Sequence, residues 1–138
     1  MTVNWNPGPT TALIVQGARQ AVANATEGVL GEGNRLIASP PKSGRVYKRR
    51  GIEHQASAPG ESPATDTGAL IQSGQALYPD SGDPMVITGI ANWSTDYALA
   101  LETGTETMEA RPYARPALDQ VAPSLPAGIA AAIKASLR

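Results

Sequence analysis

Apolar side chains recur near a 3.6-residue period at Ile14, Ala18, Ala21, Val22, Ala25, Val29 and Leu36, with Gln16, Arg19, Gln20, Asn24 and Glu27 between them. The pattern predicts one amphipathic helix over residues 10–37, capped by Thr10 or Thr11. Gly28, Gly31 and Gly33 weaken its second half by about 1 kcal/mol each relative to Ala, and a kink is expected near them. "SPPKSG" ends the helix. Residues 38–66 show no apolar periodicity and read as an extended arm, longer than an ordinary connection. Residues 67–104 form a sheet region. It opens with "TDTGALIQSG", a short helical turn or the lead into a strand. "QALYP" and "PMVITGIA" follow as strands around a "DSGD" turn at Gly82. "MVIT" carries the strongest strand signal, "NWSTD" reads as a turn, and "YALALE" is a short helical or extended piece ending at Gly104. Residues 105–138 supply a turn and a C-terminal helix from Ala114, with Leu118, Val121, Leu125, Ile129, Ala132, Ile133 and Leu137 on one face. Pro123 and Pro126 split that helix. Ser124 is expected to cap its second piece, with Pro126 in the first turn.

Composition narrows the picture. The 138 residues suit a single domain spanning 1–138. With no Phe, two Trp and four Tyr, the core must be mostly aliphatic. Fourteen Gly and twelve Pro predict long irregular segments. A net charge of -1 argues against a general polyanion binder. The absence of Cys excludes disulfides and thiolate metal sites. No apolar signal core or membrane-length apolar window occurs, so a soluble protein kept in a cytosol is expected.

Candidate chemistry is sparse. His54 is the one histidine, so a Ser-His-Asp, Cys-His or two-His metal site would need it; a solvated or interface histidine is the better reading. "GEGNRL" lacks a dinucleotide fingerprint and follows a helix. Asp80 and Asp83 suit a hairpin turn better than a cation site. Glu102, Glu106 and Glu109 suit capping, or an ion pair with Arg111, better than acid–base work. No catalytic residue, metal or cofactor is expected, and the chain does not read as an enzyme. The basic run Lys42, Arg45, Lys48, Arg49 and Arg50, with Tyr47 inside it, is the one suggestive charge feature. Phosphate contact with stacking by Tyr47 is one reading. A solvated loop, or an arm pairing with a neighbour, is the other.

"SGRVYKRRGIEHQASAPGESPATDTGAL", residues 43–70, resembles the arm of a tailed-phage structural family. There, Gly-Arg-x-Tyr leads to His-x-Ala-Ser-x-Pro-Gly-x-x-Pro-Ala and then Asp-Thr-Gly-x-Leu. Tyr97-Ala98, Glu102-Thr103-Gly104-Thr105, Met108, Ala110-Arg111-Pro112-Tyr113 and Arg115-Pro116-Ala117-Leu118 continue the order. The chain is similar to siphophage tail-component or tail-completion proteins, the head–tail joining or neck proteins. It departs from them at Thr103, where an aromatic is frequent, and at Tyr113, where Phe is common. The resemblance implies an α+β subunit: a long N-terminal helix, an extended arm, a small antiparallel sheet and a C-terminal helix. It implies a homo-oligomeric ring, a hexamer, in the virion neck, assembled in the host cytoplasm. Head-connector or stopper proteins and tail-tube or terminator proteins would flank the ring, packaged DNA would pass through its lumen, and no membrane would be involved. Arg45, Tyr47, Lys48, Arg49, Arg50, His54, Pro59, Gly60, Pro63, Thr67, Gly68 and Leu70 then belong to an arm reaching neighbouring subunits or rings. Lys42, Arg45, Lys48, Arg49 and Arg50 are candidates to face DNA. A tail-terminator ring is the near alternative, and a DNA-binding accessory protein the alternative of another class.

Tyr97, Glu102, Gly104, Thr105, Arg111, Pro112, Tyr113 and Pro116 form the structural motif. Gly104 is expected to take positive φ. Pro112 holds an extended approach, and Pro116 sits in a first helical turn. Tyr113 anchors sheet to helix, while Arg111 and Glu102 hold the turn.

Overall fold

The structure, a computed structural model, describes Thr2, residues 8–39 and residues 42–138. The expected stop at Pro40 and Pro41 lies outside the described residues. Helix α1 spans Gly8–Ala38 and is followed by strands β1 (Val46–Arg49) and β2 (Ile52–Gln55). Next come α2 (Ala69–Gln72), β3 (Gly74–Leu77), β4 (Ile90–Trp93) and α3 (Ala98–Thr103). Helix α4 (Ala114–Val121), a 3-10 turn (Ala122–Ser124) and α5 (Leu125–Ser136) complete the chain. The architecture is α+β, with two antiparallel sheets of two strands each, β1–β2 and β3–β4.

The buried line of α1 is Gly17, Ala21, Val29, Gly33 and Ile37, with Thr26 beside it. Its steps of four wind the line about 40° per step round the helix, so Gly17 meets α5 and Gly33 meets Trp93, and α4 also packs against the helix. Two of the glycines are points of close approach. A Cβ on Gly17 would sit 2.8 Å from Ile133 Cα and 2.9 Å from the Ala132 carbonyl oxygen, and one on Gly33 would sit 2.5 Å from Trp93 Cζ2. The helix runs unbroken to Ala38 through all three glycines, because neighbours seated on the glycine surface offset their poor helix propensity. Gly31 faces open space. Gly31→Ala is therefore expected to raise stability by about 1 kcal/mol. Gly17→Ala should lower it by about 1 kcal/mol net, because the obstructing atoms are backbone. Urea unfolding of the two variants checks this, and shifts of equal sign would contradict it.

The core gathers at the C-terminal end of α1. Ile37 (1% exposed), Leu70, Trp93, Ala98 and Tyr113 (2% exposed) form one cluster. The Trp93 and Tyr113 rings meet edge to face, 5.1 Å between centroids at 89°, a favoured aromatic geometry. Trp93 Nε1 donates to Asn34 Oδ1 at 2.9 Å, which satisfies its buried donor.

Strands β3 and β4 pair from Gly74↔Trp93 to Leu77↔Ile90 and lie against α1. The "MVIT" stretch is not their central strand. Ile87 forms only an isolated bridge with Asp80, and Met85 and Val86 sit in the connection. Local side chains capture their backbone groups: Met85 N donates to Asp83 Oδ1 at 2.8 Å, and Ser81 Oγ donates to the Val86 carbonyl at 2.8 Å. Such bonds compete with a ladder. The strand instead begins at Ile90 and includes Asn92 and Trp93, expected as turn.

The C-terminal helix breaks where its prolines fall. Pro123 lies in the 3-10 turn and Pro126 is the second residue of α5. Ser124 does not cap α5; its Oγ donates back to the Val121 carbonyl at 2.8 Å. Among the described residues, no helix is long and apolar enough to cross a membrane.

Candidate assembly interface

Residues 38–66, expected as an extended arm, contain a formed hairpin. Val46↔Gln55, Tyr47↔His54, Lys48↔Glu53 and Arg49↔Ile52 pair across β1 and β2. The connecting residues Arg50 (φ 53°) and Gly51 (φ 80°) both lie at positive φ. That primed-turn geometry matches the twist of paired strands. Alternation puts Tyr47, Arg49, Ile52 and His54 on one face and Val46, Lys48, Glu53 and Gln55 on the other. On the first face the Tyr47 and His54 rings stack at 5.6 Å and 24°. Asp66 binds this face to the following segment: it accepts from Arg49 Nη1, and its Oδ1 lies 3.6 Å from His54 Nε2. Neither face is a continuous apolar stripe, which is why periodicity gave no strand signal here. Ile52 is 63% exposed, Val46 is also exposed, and no helix or other strand packs extensively on the hairpin.

The base of the hairpin is fastened by charged groups turned inward. Lys42 Nζ donates to the Leu36 carbonyl at 3.1 Å and the Ser62 carbonyl at 2.9 Å. Burial pulls its pKa down, with Glu61 opposing. The Glu61 carboxylate accepts from Ser43 Oγ, from Ser43 N at 3.0 Å and from Ala58 N at 2.8 Å. These bonds, led by the Ser43 hydroxyl, hold its pKa down at about 2 against an ordinary 4.5. A carboxylate with a lowered folded-state pKa contributes stability that is present above its unfolded pKa and is lost as pH falls through its folded pKa. Between pH 5 and pH 2 the wild type should therefore lose its stability advantage over Glu61→Gln. Thermal unfolding across that window tests this, and a constant difference would contradict it.

The rest of the predicted arm is distributed between core and turns. Leu70 and Pro63 are buried, while Pro59 is exposed. Gly60 (φ 82°) and Gly68 (φ 78°) take left-handed turn conformations. Gly60 N donates to the Ala110 carbonyl at 3.0 Å, and Ser62 Oγ to the Pro112 carbonyl at 3.1 Å. Thr67 Oγ1 accepts from Ala69 N at 3.3 Å at the start of α2. The arm segment is thereby tied to the strap that precedes α4.

That strap leads through Pro112 into α4, where Pro116 falls in the first turn. Gly104 has φ 78°, and a Cβ there would meet Ala110 N and the Met108 carbonyl oxygen at 2.9 Å. Thr105 and Met108 form a bridge, and Arg111 N donates to the Leu101 carbonyl at 2.7 Å. The Glu102 carboxylate then caps α4 from a distance. It accepts from Tyr113 N (2.8 Å), Ala114 N (3.0 Å) and Arg115 N (2.8 Å). Pro116, third in α4, has no N–H to satisfy, so the helix start leaves no orphan donor. Of the two readings offered for Glu102, capping is the one realised, and no ion pair with Arg111 forms among the described residues, because the amides take the carboxylate. Arg111 instead lines a cleft of about 460 Å³ with Tyr47, Asp66 and Tyr97, and its Nε is sealed from solvent without an acceptor.

The basic run does not form one continuous patch. Lys42 is turned inward, Arg49 pairs with Asp66, and Lys48 Nζ stands 3.7 Å from Glu53 Oε1. Arg45 and Arg50 remain exposed without an ion pair among the described residues. Asp80 and Asp83 serve their own turn, accepting from Gly82 N at 3.0 Å and Met85 N at 2.8 Å. No cluster of three or more metal-ligating side chains occurs among the described residues. Sequence reasoning missed two working carboxylates, Asp66 and Glu61; the arm's spacing carried no signal for them, because Asp66 acts on the strands before it and Glu61 reaches back to Ser43, 18 residues away. Comparison with family profiles, curated proteins and solved structures found no match to this chain.

Proposed function

We propose that this chain is a structural subunit of a tailed-phage virion that forms a ring in the neck and joins the head connector to the tail. The observation that supports this most is the β1–β2 hairpin. Two strands alone are marginal in water, and among the described residues this pair has no third strand on either edge and leaves the Val46 and Ile52 side chains exposed. Such edges are ready to pair with another chain. Ring subunits make heterologous contacts that close by rotation, and a hairpin tied at its base by Lys42, Glu61 and Asp66 is held ready to reach a neighbour. The ordered motifs from Ser43 to Leu118 supply the assignment to the neck. The pairing of Lys48 and Arg49 with acids favours a protein-facing arm over a DNA-binding one.

The test replaces residues 45–56 with a Gly-Ser linker in the phage that encodes the chain. The expected result is filled heads and free tails that fail to join, with the wild-type chain present in purified particles. Normal infectivity of the variant, or wild-type particles lacking the chain, would overturn the proposal. A chain found only on the head-facing end of separated tails would assign it to the terminator ring instead.

A further inference from the structure

We infer that the β1–β2 hairpin of one copy seats its tip on the outward face of the β3–β4 sheet of the next copy, with Ile52 against Leu77 and Ile90, and Arg50 against Asp80 and Asp83. This contact gives the hairpin its partner and rests on the ring-subunit reading. An antiparallel sheet with one face on the core ordinarily turns polar side chains outward. In β3–β4, Gly74 and Trp93 face α1, where they meet Leu30 and Gly33. Leu77 and Ile90 are register partners on the opposite face, and both are exposed. Met85, in the connection just beyond them, is 71% exposed. Among the described residues α1 is the one element packed extensively on this sheet, so its outward apolar face has no cover.

Charge identifies the occupant. The connection of β3 and β4 carries Asp80 and Asp83 and no cation. Each uses one carboxylate oxygen on an amide of the turn, and neither is ion-paired among the described residues, although Arg19 borders the same cleft as Asp80. The hairpin carries four cations against Glu53, and Arg50 at its tip is exposed and without an ion pair. Ile52, beside that tip, is the hairpin's most exposed apolar side chain. Within one chain the two patches stay apart. Lys42 ties the hairpin's base to the Leu36 carbonyl, whereas the connection lies beside Gln16, Gln20 and Ala23. About 20 Å of helix separates Ala23 from Leu36, and four-residue strands span about 13 Å. The other exposed acids without partners lie on the hairpin's own side. Asp96 precedes Tyr97, which lines the cleft beneath the hairpin with Tyr47 and Arg49. Glu106 and Glu109 precede Ala110, whose carbonyl accepts from Gly60 in the arm segment. A ring contact joins two different patches on neighbouring copies, and the outward face of β3–β4 supplies the second. Apolar burial there adds affinity, while the charges orient the approach.

The chain has no cysteine, and Ile52 and Met85 are exposed, so cysteines placed there report proximity directly. Particles of the phage that encodes the chain, carrying Ile52→Cys with Met85→Cys in it, are treated with a short bismaleimide and run on denaturing gels. The expected result is a ladder of covalent multimers, because each copy is linked to the next through two different residues. Either cysteine alone should leave monomers. Ile52→Cys with Leu99→Cys, or with Glu106→Cys, should form no ladder. Arg50→Glu in the two-cysteine chain should cut the cross-linked fraction at least about fivefold at low salt. Asp80→Asn with Asp83→Asn keeps the acceptor oxygens of the turn and should act in the same direction. Monomers alone from the Ile52 and Met85 pair, a ladder from the Leu99 or Glu106 pair, or undiminished cross-linking with Arg50→Glu would overturn the inference. If particles contain a ring of the wild-type chain, those results remove this contact and leave the ring reading standing. Particles that lack the wild-type chain would overturn both.

Discussion

Replacing Tyr113 with Ala is expected to destabilise the chain by about 3–5 kcal/mol, a large share of the ~5–15 kcal/mol that holds a domain folded. The ring is 2% exposed and fills the space between Trp93, Ala98 and Ile37, so its removal leaves a void rimmed by three elements. Edge-to-face contact with Trp93 is lost as well. The hydroxyl contributes little, since its oxygen lies 3.5 Å from the Ala98 carbonyl. Burial, with the Glu102 charge nearby, pushes its pKa up to about 12, so it stays protonated at neutral pH. Tyr113→Phe should therefore cost less than about 1 kcal/mol, the worth of an ordinary hydrogen bond. Urea unfolding measures both. A small loss for Ala, or equal losses for Ala and Phe, would contradict the assignment of Tyr113 as a packing anchor.

Glu102→Ala is the second large effect. One carboxylate satisfies three amides at the start of α4 and sits at the positive end of the helix dipole. Losing it should cost about 2–3 kcal/mol, more than the ~1 kcal/mol of a single cap, because the bonds are charge-assisted. The loss should be local first: amide exchange at Tyr113, Ala114 and Arg115 should accelerate before the α1 core opens. Glu102→Gln keeps an acceptor oxygen and should fall between the two. A stability change under about 0.5 kcal/mol, the range of ordinary surface exchanges, would show that water replaces the carboxylate freely.

The helical frame was legible because its signals are local. The period of α1, the split at Pro123 and Pro126, positive φ at Gly104 and the place of Pro116 in a first turn all follow from residues acting on immediate neighbours. What escaped depends on partners far along the chain. Gly17 and Gly33 read as weak helix positions until Ile133 and Trp93 stand against them. The β1–β2 hairpin has no apolar stripe, and its order comes from the Arg50-Gly51 turn and from Asp66, beyond the strands themselves. Met85 and Val86 have strand propensity, yet Ser81 and Asp83 hold their backbone groups in a turn. In the sequence the candidate site shows only as a run of cations. Of that run, Lys48 and Arg49 are ion-paired and Lys42 is turned inward onto carbonyls, while Arg45 and Arg50 stay exposed.

The proposed role has this chain join others through the β1–β2 hairpin. The most direct measurement is a symmetric reconstruction of the neck in particles of the phage that encodes it. A closed ring of this chain is expected between connector and tail tube, with residues 44–56 of each copy in contact with a neighbouring subunit. A neck without this chain, or a ring whose hairpins point into solvent and touch nothing, would contradict it.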